Sequence, residues 1–374
     1  MTLRTRGQAA AVDAARSIVD GAAHALLLTG PAGVGKTTLA LDLAAIRLCT
    51  GAAGDDRPCG TCRGCRLVAG GNHPDVHRLA PDGPGGQIRI GERLSPDPGT
   101  VRRLIADLAL LPVEGGARVA IVEGAHRLNE DAQSALLKTL EEPPAGVLLI
   151  LCADDEERLL PTIRSRCARV RLGTLGARDI EALLESSAVA DAPAAARLAR
   201  VAGGRPGMAL AYAGAPEAVR ARSEIARSLL DLIDAPRARR LAAAKELLAA
   251  STTVAAALTD RVPQPEKPAD PEPADDAPEI SRRGPAAERR RGALQLVATW
   301  RDVARDLAVV QLNRPALVRD VSLLDELGTA ARGLEAGAAA AFLGRLERAG
   351  ELLESNVGPE LVVDGLLVAW PRRR

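Results

Sequence analysis

The sequence predicts an α/β domain built on a parallel sheet, followed by helical regions. Short, continuous apolar runs at residues 25–28, 119–122 and 147–151 are each bounded by turn or charged residues. Such runs are typical of parallel strands that are covered on both faces. Helical patterns separate the runs up to about residue 172, which is the alternation of an α/β layered domain. Beyond that point Ala, Leu and Arg predominate, and Ala and Leu favour helices.

These changes in composition predict three domains, at residues 1–172, 173–212 and 213–374. Residues 261–292 interrupt the third domain with seven prolines, many charges and few apolar residues. That composition predicts a disordered insert, because so little apolar surface cannot offset the entropy of ordering the chain.

The overall composition excludes several classes of protein. The chain has 374 residues, of which 47% are hydrophobic, so it can bury a substantial core. Its 49 basic and 48 acidic residues nearly cancel, which excludes a globally basic nucleic-acid coat. Two Trp, one Tyr and one Phe are too few for rows of base-stacking aromatics.

The sequence also predicts a cytoplasmic protein with no membrane segment. No uninterrupted apolar run reaches the roughly 18–20 residues that cross a bilayer, and the N-terminus lacks the apolar stretch of a signal peptide. Thiols stay reduced in the cytosol, so the six cysteines are expected to be ligands, nucleophiles or core residues before disulfides.

Residues 30–38, Gly-Pro-Ala-Gly-Val-Gly-Lys-Thr-Thr, form a complete phosphate-binding loop (Walker A) pattern between an apolar run and a helical pattern. Glycines allow the backbone to turn its N–H groups toward phosphate oxygens, and the following helix adds the positive end of its dipole. The lysine reaches the β- and γ-phosphates, and the threonine after it can bind Mg²⁺. We expect ATP or ADP with Mg²⁺ at Gly30, Gly33, Gly35, Lys36, Thr37, Thr38 and Glu123.

Glu123 is the candidate metal ligand because it directly follows the apolar run 119–122. A hydrolysing site needs an acidic residue there and usually an adjacent carboxylate to activate water. Gly124 stands in the adjacent position, and His126 is more typical of a structural hydrogen-bonding group than of a base. The sequence therefore predicts weak or absent intrinsic ATPase activity.

Four cysteines, Cys49, Cys59, Cys62 and Cys65, follow the pattern C-x9-C-x2-C-x2-C. Two-residue spacings let thiolates approach one ion from a tight turn, and four sulfurs form the closed shell of a structural zinc site. A redox pair at Cys59 and Cys62 and an iron–sulfur cluster are the alternatives. The other two cysteines have apolar surroundings and are expected to be core thiols: Cys152 and Cys167.

Two further motifs by themselves indicate only local structure. Leu-Leu-Lys-Thr-Leu-Glu-Glu-Pro-Pro at 136–144 predicts a helix with an abrupt end, and Ser-Arg-Cys at 165–167 predicts a basic turn. With the cysteine insert and the order of motifs over residues 1–210, they resemble the clamp-loader subunits of bacterial DNA polymerase III. This resemblance implies an AAA+ P-loop domain with a zinc-binding insert, a small helical lid and an all-α collar domain for oligomerisation.

Two types of subunit in that family compete. The chain resembles the gamma/tau motor subunit in its intact phosphate loop. It differs from that motor at Glu123-Gly124, where the motor has Asp-Glu. The nucleotide-sensing Arg of the motor's lid also falls out of register at Arg205. The resemblance therefore favours the delta-prime type. A motor ATPase of the gamma/tau type, or a nucleotide-binding assembly protein unrelated to the clamp, remains the alternative.

The resemblance also implies a function. Arg166 would act as an arginine finger on ATP held by a neighbouring motor subunit, and the chain would act as a stator. Its partners would be gamma/tau and delta subunits, the sliding clamp (beta) and, through the complex, primer–template DNA. The chain would then be part of a DNA-directed DNA polymerase in the cytoplasm, at the replisome, without contact to a membrane.

Overall fold

A five-stranded parallel sheet organises the N-terminal part of the chain in a computed structural model, which describes residues 3–21, 23–81, 86–94, 96–114, 116–259, 285–355 and 357–373. The strands are β1 (Ala25–Thr29), β2 (Val76–Leu79), β3 (Arg118–Val122), β4 (Val147–Ala153) and β5 (Ala168–Arg171). Their order in the sheet is β2-β3-β4-β1-β5. This confirms the predicted α/β class, and the three apolar runs lie in β1, β3 and β4.

The three central strands are buried along their whole length, which explains their continuous apolar sequences. Leu26 pairs with Ile150 across β1 and β4, and Leu148 pairs with Val119 across β4 and β3. Successive side chains point to opposite faces of a strand, so Leu26 joins one core layer and its neighbour Leu27 joins the other.

Helices cover both faces of this sheet. They are α1 (Ala9–Asp20), α2 (Lys36–Arg47), α3 (Arg63–Gly70), α4 (Val101–Leu108), α5 (Glu130–Glu141) and α6 (Pro161–Arg164). Apolar residues of α1 and α2 pack on one face, and those of α4 and α5 pack on the other. Helix α5 begins where Asn129 accepts a hydrogen bond from the Ala132 N–H at 2.9 Å, and it ends before Pro143 as predicted.

The remaining helices are α7 (Ala177–Ser186), α8 (Ala192–Val201), α9 (Pro206–Gly214), α10 (Pro216–Asp231), α11 (Arg237–Thr259), α12 (Pro285–Gln311), α13 (Leu324–Ala331), α14 (Ala338–Glu354) and α15 (Pro359–Ala369). The chain divides into two compact units. The first contains Met1–Asp179 and Gly204–Gly207, and the second contains Ile180–Gly203 and most of the chain after Met208. A separate lid at 173–212 and a collar at 213–374 stay predictions.

The helical unit has its own core. Three aromatic rings meet at its centre, with centroid separations of 4.8–5.5 Å among Trp300, Phe342 and Trp370. The buried Arg222 guanidinium is balanced by two carboxylates, Asp302 and Asp320, each at 3.0 Å. Pairing of this kind is what makes a buried charge tolerable.

The prediction of a disordered insert at 261–292 is wrong for the C-terminal end of that range. Helix α12 begins at Pro285, so residues 285–292 are helical. Proline suits the first turn of a helix, and the Ala, Glu and Arg residues that follow it are good helix formers. Residues 260–284, the rest of the insert, lie outside the described residues.

One helix is long and apolar enough to cross a membrane by length and composition alone, although the sequence predicts no membrane segment. Residues Arg237–Leu258 contain a window with a mean hydropathy of 1.3, of which 22% is buried. Its many alanines raise the average without forming an uninterrupted apolar run. The same helix contributes Leu247 and Val254 to the core of the helical unit.

Candidate functional site

The phosphate-binding loop lies between β1 and α2, as its sequence pattern predicts. Three glycines have backbone torsions that favour glycine: Gly30 (φ +140°), Gly33 (φ +79°) and Gly35 (φ +105°). A Cβ atom at Gly30 would overlap the Leu172 carbonyl oxygen, so a side chain there would displace the backbone. The N-terminus of α2 therefore meets a loop whose shape depends on glycine, which is an arrangement suited to phosphate.

Lys36 already has an anionic partner. Its ammonium donates to the carbonyl oxygens of Gly30 (2.6 Å) and Pro31 (2.8 Å) and lies 2.7 Å from a carboxylate oxygen of Asp154. Asp154 directly follows β4, which neighbours β1 in the sheet, and its own N–H donates to the buried His126 ring. The sequence analysis did not identify Asp154 as a partner of the lysine.

Because of this ion pair, we predict that Asp154→Asn strengthens nucleotide binding about five- to ten-fold, equivalent to ~1–1.4 kcal/mol. A phosphate group must compete with the carboxylate for Lys36, and an amide competes less well. Titration of a fluorescent ADP analogue into the purified chain measures the change. Asp155→Asn is the matched control, since the Asp155 carboxylate accepts from the Glu157 N–H. Unchanged affinity in Asp154→Asn would contradict the prediction.

The structure brings Thr37 and Glu123 together, as the expected metal site requires. The Thr37 hydroxyl donates to one Glu123 carboxylate oxygen at 3.5 Å. Arg78 of β2 also contacts Glu123, with its Nη2 at 2.6 Å and its Nε at 2.9 Å from the other carboxylate oxygen. The sequence analysis missed Arg78, since β2 has no apolar run that marks it as a strand. Thr38 lies beside Thr37 in the first turn of α2.

The four predicted cysteine ligands form one cluster, and their sulfur atoms lie within 4.8 Å of one another. Cys49 follows the end of α2, and Cys62 caps the N-terminus of α3, whose first turn contains Cys65. Close approach of the chain needs glycine here, because a Cβ at Gly51 would lie 2.8 Å from the Cys59 sulfur. The cluster could hold a metal ion that ties the two helices together.

Backbone N–H groups point at the cysteine sulfurs. They donate from Cys59 to Cys49 (3.4 Å), from Cys62 to Cys59 (3.3 Å) and from Cys65 to Cys62 (3.4 Å). Although burial opposes it, N–H groups of Cys65 and Thr50 lower the pKa of Cys62 to about 5. Hydrogen bonds from the Cys62 and Thr61 N–H groups lower the pKa of Cys59. Donors of this kind stabilise thiolates and orient metal ligands.

The other cysteines behave as core thiols, as expected. Cys152 and Cys167 are buried, and burial raises the pKa of each thiol to about 12. Both remain protonated at neutral pH, which makes them unreactive.

Arg166 lies in the turn that joins α6 to β5. Its backbone N–H donates to the Ile163 carbonyl at 3.1 Å, which fixes the turn. One guanidinium nitrogen donates to the Thr162 carbonyl at 3.0 Å, and another lies 2.7 Å from a carboxylate oxygen of Glu141, at the end of α5. The side chain is 36% exposed, so it reaches the surface while its base is held.

Comparisons with known proteins find similarity to DNA polymerase III subunits. Residues 12–176 match a family described as DNA polymerase III, delta subunit. The delta-prime subunit of Pseudomonas aeruginosa DNA polymerase III is 40% identical over 190 residues, or 49% of this chain and 54% of that protein. The tau subunit of Salmonella typhimurium is 35% identical over 163 residues, or 43% of this chain and 23% of that protein. The chain thus matches about half the length of its curated delta-prime relative.

Among solved structures, a gamma subunit-related protein of Thermotoga maritima covers 96% of this chain and 97% of its own. The two are 15% identical with a TM-score of 0.43.

Proposed function

We propose that this chain, which over residues 12–176 belongs to the DNA polymerase III delta-subunit family, works as a delta-prime-type stator of the clamp loader. In this role it supplies Arg166 to ATP held by an adjacent gamma/tau motor subunit. Hydrolysis in the motors would accompany loading of the sliding clamp onto primed DNA.

The observation that carries this proposal is the setting of Arg166. A finger must be positioned before the reaction, because a cation placed in advance reduces the cost of reorganisation when charge develops on the phosphate. The hydrogen bond from the Arg166 N–H to Ile163 holds the turn, and contacts to Thr162 and Glu141 position the partly exposed guanidinium. At an interface, the γ-phosphate of the neighbouring ATP would replace Glu141 as its anionic partner.

The proposed stator role also requires that the chain's own nucleotide site does not hydrolyse ATP. Lys36 is paired with Asp154, Glu123 is paired with Arg78, and Gly124 stands where a motor of the family has a carboxylate. We therefore predict that the isolated chain hydrolyses ATP no faster than its Lys36→Ala variant in a steady-state phosphate-release assay. Sustained turnover by the purified chain, lost in Lys36→Ala, would instead support the gamma/tau motor alternative, which the intact phosphate loop favours.

We further propose that the cysteine cluster holds zinc in a structural site. Its donor set consists of four sulfurs, with no open position for water or substrate, which is the structural type. Zinc bound by Cys49, Cys59, Cys62 and Cys65 would crosslink the end of α2 to the start of α3 and would take no part in a reaction.

The proposed partners are the gamma/tau and delta subunits, the sliding clamp and primer–template DNA, and the proposed location is the cytoplasmic replisome. The net charge of +1 does not supply a general attraction to DNA. Contacts to DNA are therefore expected to be local arginine–phosphate contacts that weaken as salt is raised.

Reconstitution tests this function directly. Gamma/tau and delta subunits from the same organism are mixed with clamp and primed DNA, with and without this chain, and ATPase and clamp loading are measured. We expect this chain to co-purify with the other subunits and to be required for both activities. Full activity without the chain, or failure of the chain to join the complex, would refute the proposal and leave an assembly role unrelated to the clamp.

A further inference from the structure

We propose that Arg78 prevents Glu123 from binding the metal ion that normally accompanies a nucleotide, so that this site binds nucleotide independently of Mg²⁺. The proposal rests on the proposed role of residues 30–38 as a nucleotide site. It does not depend on Arg166 or on any partner subunit.

Both oxygens of the Glu123 carboxylate have partners. One accepts from Nε (2.9 Å) and Nη2 (2.6 Å) of Arg78, and the other accepts from the Thr37 hydroxyl at 3.5 Å. Sheet register brings Arg78 and Glu123 together, because Arg78 is the partner of Ile121, and Glu123 follows two residues later on the same side of β3. The contact is thus set by the sheet and not by a flexible loop.

A guanidinium in this position opposes a metal ion in two ways. It engages one of the two Glu123 carboxylate oxygens with two hydrogen bonds, which makes the carboxylate a weaker ligand, and its positive charge repels a divalent cation. The Arg78 and Glu123 side chains are only 27% and 22% exposed, which limits screening by water and salt.

The chemistry of the donor set therefore disagrees with the Mg²⁺ site expected from the sequence. A metal site in phosphate-loop enzymes uses the loop hydroxyl together with an acidic residue at a strand end. Thr37 and Glu123 supply both groups here, but Arg78 already neutralises the acidic one. An Arg at position 78 would thus convert a metal-dependent nucleotide site into one that holds nucleotide through Lys36 and the loop N–H groups.

The test compares nucleotide affinity with and without divalent metal in the full-length, nucleotide-free chain. A fluorescent ADP analogue is titrated in Mg²⁺ and in EDTA, and Mn²⁺ binding to the ADP complex is followed by electron paramagnetic resonance. We expect the metal to change the affinity of the wild-type chain less than two-fold. In Arg78→Gln, we expect metal to strengthen binding about ten-fold and bound Mn²⁺ to become detectable.

Three variants make the result specific. Arg78→Lys keeps the charge and should stay metal-independent, whereas Arg78→Gln/Glu123→Gln should lose the metal dependence gained by Arg78→Gln alone. Arg103→Gln removes an exposed arginine of α4 that pairs with Asp107, so it should match the wild type.

Two results would overturn the proposal: ten-fold metal dependence in the wild-type chain, or a gain in Arg78→Gln that survives the second substitution. Titration of the wild-type chain with and without metal tests the proposal even if Arg78→Gln fails to fold. A chain that binds no nucleotide would also overturn this inference, while the reconstitution assay would still test the role of Arg166 independently.

Discussion

In the proposed clamp-loader complex, hydrolysis at the motor site next to this chain is expected to slow by about a thousand-fold when Arg166 is replaced by alanine, because arginines supplied in trans contribute roughly 10³–10⁵ in rate. Only the site that receives Arg166 is affected directly. The rapid-quench burst of ATP hydrolysis on addition of primed DNA should therefore lose the amplitude of one site, whereas the steady-state rate reports all motors together.

Conservative and control substitutions test whether loss of the Arg166 guanidinium causes the slower hydrolysis. Arg166→Lys keeps the charge but loses the planar fork of donors, so it should recover only part of the lost rate. Arg169→Ala is a matched control, since Arg169 is 58% exposed and lies three residues further along the same segment. The finger assignment fails if Arg166→Ala and Arg169→Ala show the same burst, provided both variants join the complex.

Loss of the proposed zinc site should have the second-largest effect, this time on stability. Structural zinc sites contribute folding free energy directly, so we expect Cys62→Ser to lower the free energy of unfolding by about 3 kcal/mol or more. Chelation of the wild-type chain should reproduce the effect. Chemical denaturation monitored by circular dichroism measures stability, and metal analysis after purification without added metal measures occupancy.

Cys167→Ala is the control for this substitution, because Cys167 is a buried thiol in the other core layer of the sheet domain. It should keep the metal of the wild-type chain. Zinc at less than about half an equivalent per wild-type chain would refute the structural-zinc proposal. Visible absorption by the purified chain would point instead to an iron–sulfur cluster.

Local sequence determined much of this fold. The apolar runs of β1, β3 and β4 are buried on both faces, so their composition reports their position directly. Strand β2 has the sequence Val-His-Arg-Leu and lies at the edge of the sheet, where partial exposure removes that signal. Composition alone predicted disorder at the start of α12, because proline and charged residues are common in disordered segments. The first turns of a helix nevertheless accept both proline and arginine.

By itself, the sequence determined the phosphate loop, the cysteine cluster, the turn of Arg166 and the resemblance to DNA polymerase III subunits, which the family match over residues 12–176 supports. Each of these features is encoded by residues that lie close together in the chain, so that residue spacing and local backbone geometry are enough to predict it. Only the tertiary structure decided that Asp154 pairs with Lys36 and that Arg78 pairs with Glu123. Those partners lie far apart in the chain and meet because the order of parallel strands brings their carboxyl ends to one edge of the sheet.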